Sequence, residues 1–108
     1  MKSIMRILIA VCGLALAGQA AAVDAKAAEA LAQKSGCLAC HTVANKVIGP
    51  AYRDVAAKYR GEKTAEAKLI AKVKSGGKGV WGPIPMPPNS PQIADDDIKT
   101  IVQWILTL

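Results

Sequence analysis

Four stretches of this chain repeat apolar residues at three- and four-residue intervals, each bounded by residues that start or stop helices. Over residues 24–35 the apolar positions are Ala27, Ala28, Leu31 and Ala32, with Asp24 placed to cap the start and Gly36 to end it. Such a small-sided stripe suits close packing against another helix. Pro50 is tolerated at a helix start, and residues 51–59 predict a short helix that stops near Gly61. Thr64 is a good cap for a third helix ending at Ser75, with Leu69, Ile70 and Val73 inward and Lys68, Lys72 and Lys74 mostly outward. A last helix is predicted over about 94–108. Asp95, Asp96 and Asp97 fall in its first turn, where acids favour the helix dipole. Its inner stripe is Ile98, Ile101, Val102 and Ile105, widened by Trp104 and Leu108. No repeat and no alternating strand pattern occurs, so the predicted fold class is all-α.

Two connecting stretches stand apart. Gly76-Gly77-Lys78-Gly79 ends the third helix but lacks the spacing, and the Ser or Thr after Lys, of a phosphate-binding loop. Residues 82–91 hold five of the six prolines: Pro83, Pro85, Pro87, Pro88 and Pro91. Each removes an N–H and fixes φ, which excludes helix or central strand. Trp81, Ile84 and Met86 are set along this stretch within a small domain, so it reads as a stiff, ordered loop and not a linker.

The N-terminus changes the compartment. Lys2 and Arg6 form a basic region, residues 7–17 an apolar core and Ala20-Ala21-Ala22 a small-residue cleavage signal. The apolar run is shorter than the ~18–20 residues that span a bilayer. Lipid attachment at Cys12 is a poorer fit, because it follows the branched Val11 in mid-core. Residues 1–22 are therefore read as a cleaved secretory signal peptide, with Ala20 as the alternative site, and 23–108 as one exported domain. Export removes Cys12, Met1 and Met5. It also takes fourteen basic residues to twelve against eight acids, a formal charge of +4. A domain this small buries too little apolar surface to be comfortably stable unaided. Without the signal it has no Phe and only Tyr52, Tyr59, Trp81 and Trp104 as aromatics, so a large flat cofactor would complete its core.

Cys37-Leu38-Ala39-Cys40-His41 identifies that cofactor. Cys-x-x-Cys-His is the attachment signature of c-type haem. The two thiols each add to a vinyl group on one porphyrin edge, and the next residue brings its imidazole under the iron. The other readings of Cys-x-x-Cys are a dithiol redox centre and half of a zinc site. A second zinc half is missing, since His41 is the only histidine and no Cys follows. The dithiol reading expects a preceding strand where this chain has an alanine-rich helix. For the other side of the iron, thioether sulfur is a soft ligand that raises the potential relative to a second imidazole. Met86 is the one free sulfur left, and it lies in the stiff proline loop; its other reading is a core gap-filler. His41 and Met86 are thus the candidate metal ligands.

With Gly49-Pro50-Ala51-Tyr52 and the run from Gly79 to Asn89 (GVWGPIPMPPN), the chain resembles the small bacterial class I cytochromes c of the cytochrome c-551 type over nearly all of residues 23–108. The resemblance implies about four helices around one covalently bound haem c, with the first and last helices packed across each other. It implies a soluble periplasmic electron carrier. It matches Pro50 to a proline whose carbonyl accepts the haem histidine's N–H, Trp81 to a tryptophan on a haem propionate, and Asn89 to an amide near the methionine sulfur. Helix start, core aromatic and turn former are the plainer readings of these three. Lys72 stands where relatives place a base near a propionate. The segment 89–95 is about two residues longer than in the family.

Both axial sites filled argues against a haem peroxidase, which needs an open position. A bound subunit of a larger oxidoreductase would need a large apolar docking face, which nothing in the sequence marks, and the chain is read as a monomer. A gas-binding four-helix cytochrome carries its motif near the other end. Expected partners are redox proteins: a donor such as a membrane cytochrome complex and an acceptor such as a terminal reductase or oxidase. Nucleic acid binding and stable membrane insertion are not expected. Basic residues crowd 46–78, either as a rim that steers acidic partners or as an ordinary solvated surface.

Overall fold

In the computed structural model, which describes residues 23–108, the chain forms four helices and one short hairpin. The signal peptide expected over 1–22, with Cys12, lies outside those residues. Helix α1 spans Ala25–Lys34, α2 Tyr52–Tyr59, α3 Ala65–Ser75 and α4 Asp95–Ile105; a 3₁₀ turn at Cys37–Ala39 follows α1.

Helix α1 starts where the carboxylate of Asp24 accepts from the backbone N–H of Lys26 at 3.0 Å and of Ala27 at 3.2 Å. It ends at Gly36, whose φ of 82° reverses the chain into the 3₁₀ turn. Ala28 and Ala32 are fully buried where α1 lies on α4, one turn apart and small enough to let the helices approach closely. Ala27, expected in the same stripe, is exposed: the contact runs along Ala28 and Ala32 with Leu31 beside it, and Ala27 falls past its margin.

Helix α4 supplies more of the core than any other element. Ile98, Ile101, Val102, Trp104 and Ile105 are all buried, as its periodicity predicts, and Leu108 packs partly against them. Tyr52, Val55 and Ala56 of α2 bury against this face. Thr64 stands at the start of α3 but its hydroxyl makes no capping bond. Its ψ of 3° is not the extended geometry of a cap, and the Glu62 carbonyl takes the Ala65 N–H instead. Leu69, Ile70 and Val73 of α3 are half-buried, short of full core positions.

The structure adds an element where loop is expected. Strands β1, Gly77–Gly79, and β2, Gly82–Met86, pair antiparallel, Gly77 opposite Met86 and Gly79 opposite Gly82, with an irregularity between. Pro83 and Pro85 alternate with the paired positions, and a two-stranded ribbon leaves their side free of a further partner. The fold remains helical, with the hairpin forming one wall. Among the described residues no helix is long and apolar enough to cross a membrane.

Candidate haem site

The loop between the 3₁₀ turn and α2 is built around His41. The N–H groups of Tyr52 and Arg53, which the first turn of α2 cannot satisfy itself, donate to the carbonyls of Thr42 at 2.9 Å and Val43 at 3.0 Å. The residues directly after His41 thus fix the start of α2. The Gly49 N–H returns to the Cys40 carbonyl at 2.7 Å, closing the loop. His41 Nδ1 lies 2.8 Å from the Pro50 carbonyl oxygen, so Nδ1 carries the proton as donor and Nε2 keeps the lone pair that a metal requires.

Two neighbours that the sequence reading did not single out for this role hold the ring. Tyr52 stacks on the imidazole with centroids 5.1 Å apart and planes 18° from parallel, and itself meets Trp104 edge-on at 5.6 Å. The core of α4 is therefore connected to the imidazole through one aromatic. Gly49 lies on the ring's other contact: a methyl built there would fall onto Cε1 and come within 2.7 Å of Nδ1. Gly49→Ala should displace the ring, weaken the bond to Pro50 and cost about 1–3 kcal/mol, as overpacking does. Denaturant unfolding together with the NMR signal of the Nδ1 proton measures both; wild-type values for each would contradict the contact.

An apolar cleft, partly open to solvent, runs between α2, α3, α4 and the hairpin. Cys37, His41, Pro50, Trp81 and Met86 all line it, together with the aliphatic side chains of Val55, Leu69, Val73, Val80, Ile84, Ile101, Val102 and Ile105. Cys40 stands half-buried at the end of the 3₁₀ turn that begins with Cys37, and no disulfide joins the two. Burial pushes the Cys37 thiol up from its ordinary value, with the Tyr52 hydroxyl only partly opposing it. That is the reverse of the activated thiolate a dithiol redox centre needs. Burial likewise raises the Tyr52 phenol well above its ordinary value, so it stays protonated. Among the described residues no group of three or more His, Cys, Asp or Glu is placed to hold a metal ion.

Trp81 belongs to the cleft wall, outside the core cluster, with the Lys58 ammonium 5.8 Å from its ring centroid. Lys72 and Lys78 also line the cleft, while Lys46 is exposed and its backbone bridges to that of His41. Asn89 Nδ2 donates to the carbonyls of Val73 at 3.0 Å and Pro87 at 3.2 Å, fastening the loop to α3.

A long apolar cleft, one imidazole with Nε2 available, a thioether on the hairpin wall and two thiols on a tight turn fit haem c. Fold and site together define a small helical haem domain that attaches its cofactor through a Cys-x-x-Cys-His turn. The chain belongs to the cytochrome c family, whose model, described as Cytochrome c, matches residues 25–108. It is 52% identical over 95 residues to the cytochrome c-551 of Allochromatium vinosum, covering 88% of this chain and all of that one. The crystal structure of Nitrosomonas europaea cytochrome c552 is 51% identical, with a TM-score of 0.71 over 74% of this chain and 98% of that one. The class 1 cytochrome MtoD of Sideroxydans lithotrophicus is 42% identical, with a TM-score of 0.71 over 80% and 97%. A small class I cytochrome c of this family carries covalent haem c and moves electrons; it is a carrier and not an enzyme.

Proposed function

We propose that this chain is exported, loses residues 1–22 and works in the periplasm as a soluble, monomeric carrier of single electrons. One haem c is joined through thioethers at Cys37 and Cys40 and ligated by His41 and Met86. The observation that carries this reading is the convergence of Cys37, His41 and Met86 on one apolar cleft, with His41 Nδ1 held 2.8 Å from the Pro50 carbonyl. Haem, when bound, supplies a one-electron iron couple. The chain supplies the rest. Pro50 orients the imidazole and raises its basicity by accepting a hydrogen bond from Nδ1–H. Met86, on a strand fixed by β1, offers a neutral sulfur that favours the reduced state. The aliphatic wall keeps water from the centre, and Trp81 is placed at the cleft to meet a propionate. With both ligands held by the protein, electron transfer needs no ligand change and no substrate site.

The partners are a donor such as a membrane cytochrome complex and an acceptor such as a terminal reductase or oxidase. Lys72 and Lys78 at the cleft, with Lys46 nearby, support a basic rim that steers acidic partners. Stopped-flow electron exchange with an acidic redox partner should slow as salt rises, because screening shortens electrostatic reach to ~8–10 Å at 0.1–0.15 M ionic strength. Lys78→Glu should lower the association rate at low salt and leave the potential nearly unchanged. Rates indifferent to both salt and charge reversal would replace steering with an apolar docking contact.

A further inference from the structure

We infer that Gly76 is a positioning residue for Met86, acting as the bare seat on which the methionine loop rests at the end of α3. The inference rests on Met86 being the second ligand. Gly76 closes α3 with φ 69° and ψ −164°, a region essentially restricted to glycine. A methyl built on it would fall onto the Met86 carbonyl oxygen, 2.8 Å from the Pro88 nitrogen and 2.9 Å from the Pro87 carbonyl carbon. All three are backbone atoms, so no side chain can swing aside to make room.

The seat is also latched. The last turn of a helix leaves carbonyls without intrahelical partners. Here the Asn89 N–H serves those of Val73 at 3.1 Å and Lys74 at 3.2 Å, and the Ser90 N–H lies 3.3 Å from the Lys74 oxygen. Asn89 Nδ2 adds a further bond to Val73. On the other side, Met86 pairs with Gly77, the residue next to the seat. The backbone that carries the sulfur is therefore held on both sides by one corner of α3 and β1, from Val73 to Gly77. A sulfur–iron bond is weak enough that its lifetime depends on how often this backbone lifts.

The test uses imidazole as an incoming ligand for the ferric protein, since its binding must wait for the methionine to leave. Gly76→Ala should bind imidazole at least about fivefold faster than wild type, the low end of what forcing a methyl against packed backbone atoms produces. Gly61→Ala is the control, because Gly61 has φ 82° with nothing within 4 Å of the added methyl. It should lose stability through backbone strain while binding imidazole at the wild-type rate. A wild-type rate in Gly76→Ala, or equal acceleration in both variants, would overturn the assignment. Should Gly76→Ala not fold, the wild type decides by hydrogen exchange. The imidazole complex should lose protection at the Asn89 and Ser90 amides while α3 stays protected; full protection there would mean the sulfur leaves without lifting the loop. Failure of the ligand reading itself looks different: the wild-type ferric protein would then lack the sulfur-to-iron band and Met86→Ala would bind imidazole no faster.

Discussion

Met86→Ala should abolish the sulfur-to-iron charge-transfer band of the ferric protein and lower its reduction potential by a substantial part of the ~0.8 V range that axial ligands command. The direction follows from ligand chemistry. A neutral, polarisable thioether stabilises ferrous iron, and water or a stronger nitrogen donor in its place favours ferric iron. Met86→His should keep six-coordination and still lower the potential, which separates loss of sulfur from loss of a ligand. Met86 lines the cleft from β2, opposite Gly77, so truncating it leaves the helical core of α1, α2 and α4 intact. Far-ultraviolet circular dichroism of the Ala variant should therefore stay near wild type. An unchanged band in that variant would exclude Met86 as the ligand.

The second large effect concerns attachment. Intact mass spectrometry of the denatured, exported protein should show a chain beginning near Val23 plus one haem. Cys37→Ala or Cys40→Ala should each leave a single thioether and sharply reduce the yield of holoprotein. The double variant should release all its haem into acidified organic solvent. With the haem goes much of the core, since one wall of this small domain is an aliphatic cleft and its only described aromatics are Tyr52, Tyr59, Trp81 and Trp104. The double variant should accordingly lose its cooperative thermal transition. Free thiols in the wild type, or extractable pigment, would rule out thioether attachment.

The helices were legible because each has one dominant environment, and periodicity reports that environment directly. The stripe from Ile98 to Ile105 is buried as its spacing predicts, and Asp24 caps α1 as its side chain allows. Legibility fell where the structure depends on what lies opposite. Ala27 repeats in register with Ala28 and Leu31, yet only the crossing line with α4 decides which alanine is covered. Thr64 has the chemistry of a cap but inherits the dihedrals of a turn closed by Glu62. The hairpin was hidden by its own composition, because glycine and proline read as breaks and only pairing across the turn makes them strands.

The site divides the same way. Cys37, Cys40, His41 and Met86 advertise themselves by element and spacing. Gly49, Gly76 and the Tyr52 stack do their work by contact, and a glycine's reason is the atom that would occupy its missing side chain. The pair Gly49-Pro50, read together, carried part of that signal: one residue makes room for the imidazole and the next one accepts its hydrogen bond. Asn89 shows the limit, because its bonds to the Val73 and Pro87 carbonyls depend on what the loop lies against and not on the residue's own type.

In a one-electron carrier of this kind the iron keeps His41 and Met86 in both oxidation states, and a redox titration of the purified protein followed by visible spectra shows whether it does. A single one-electron transition should appear between two low-spin, six-coordinate states, with the sulfur-to-iron band present throughout the ferric branch and no change of spin state at any point. A high-spin or five-coordinate spectrum in either oxidation state would contradict it and leave the iron with an open site.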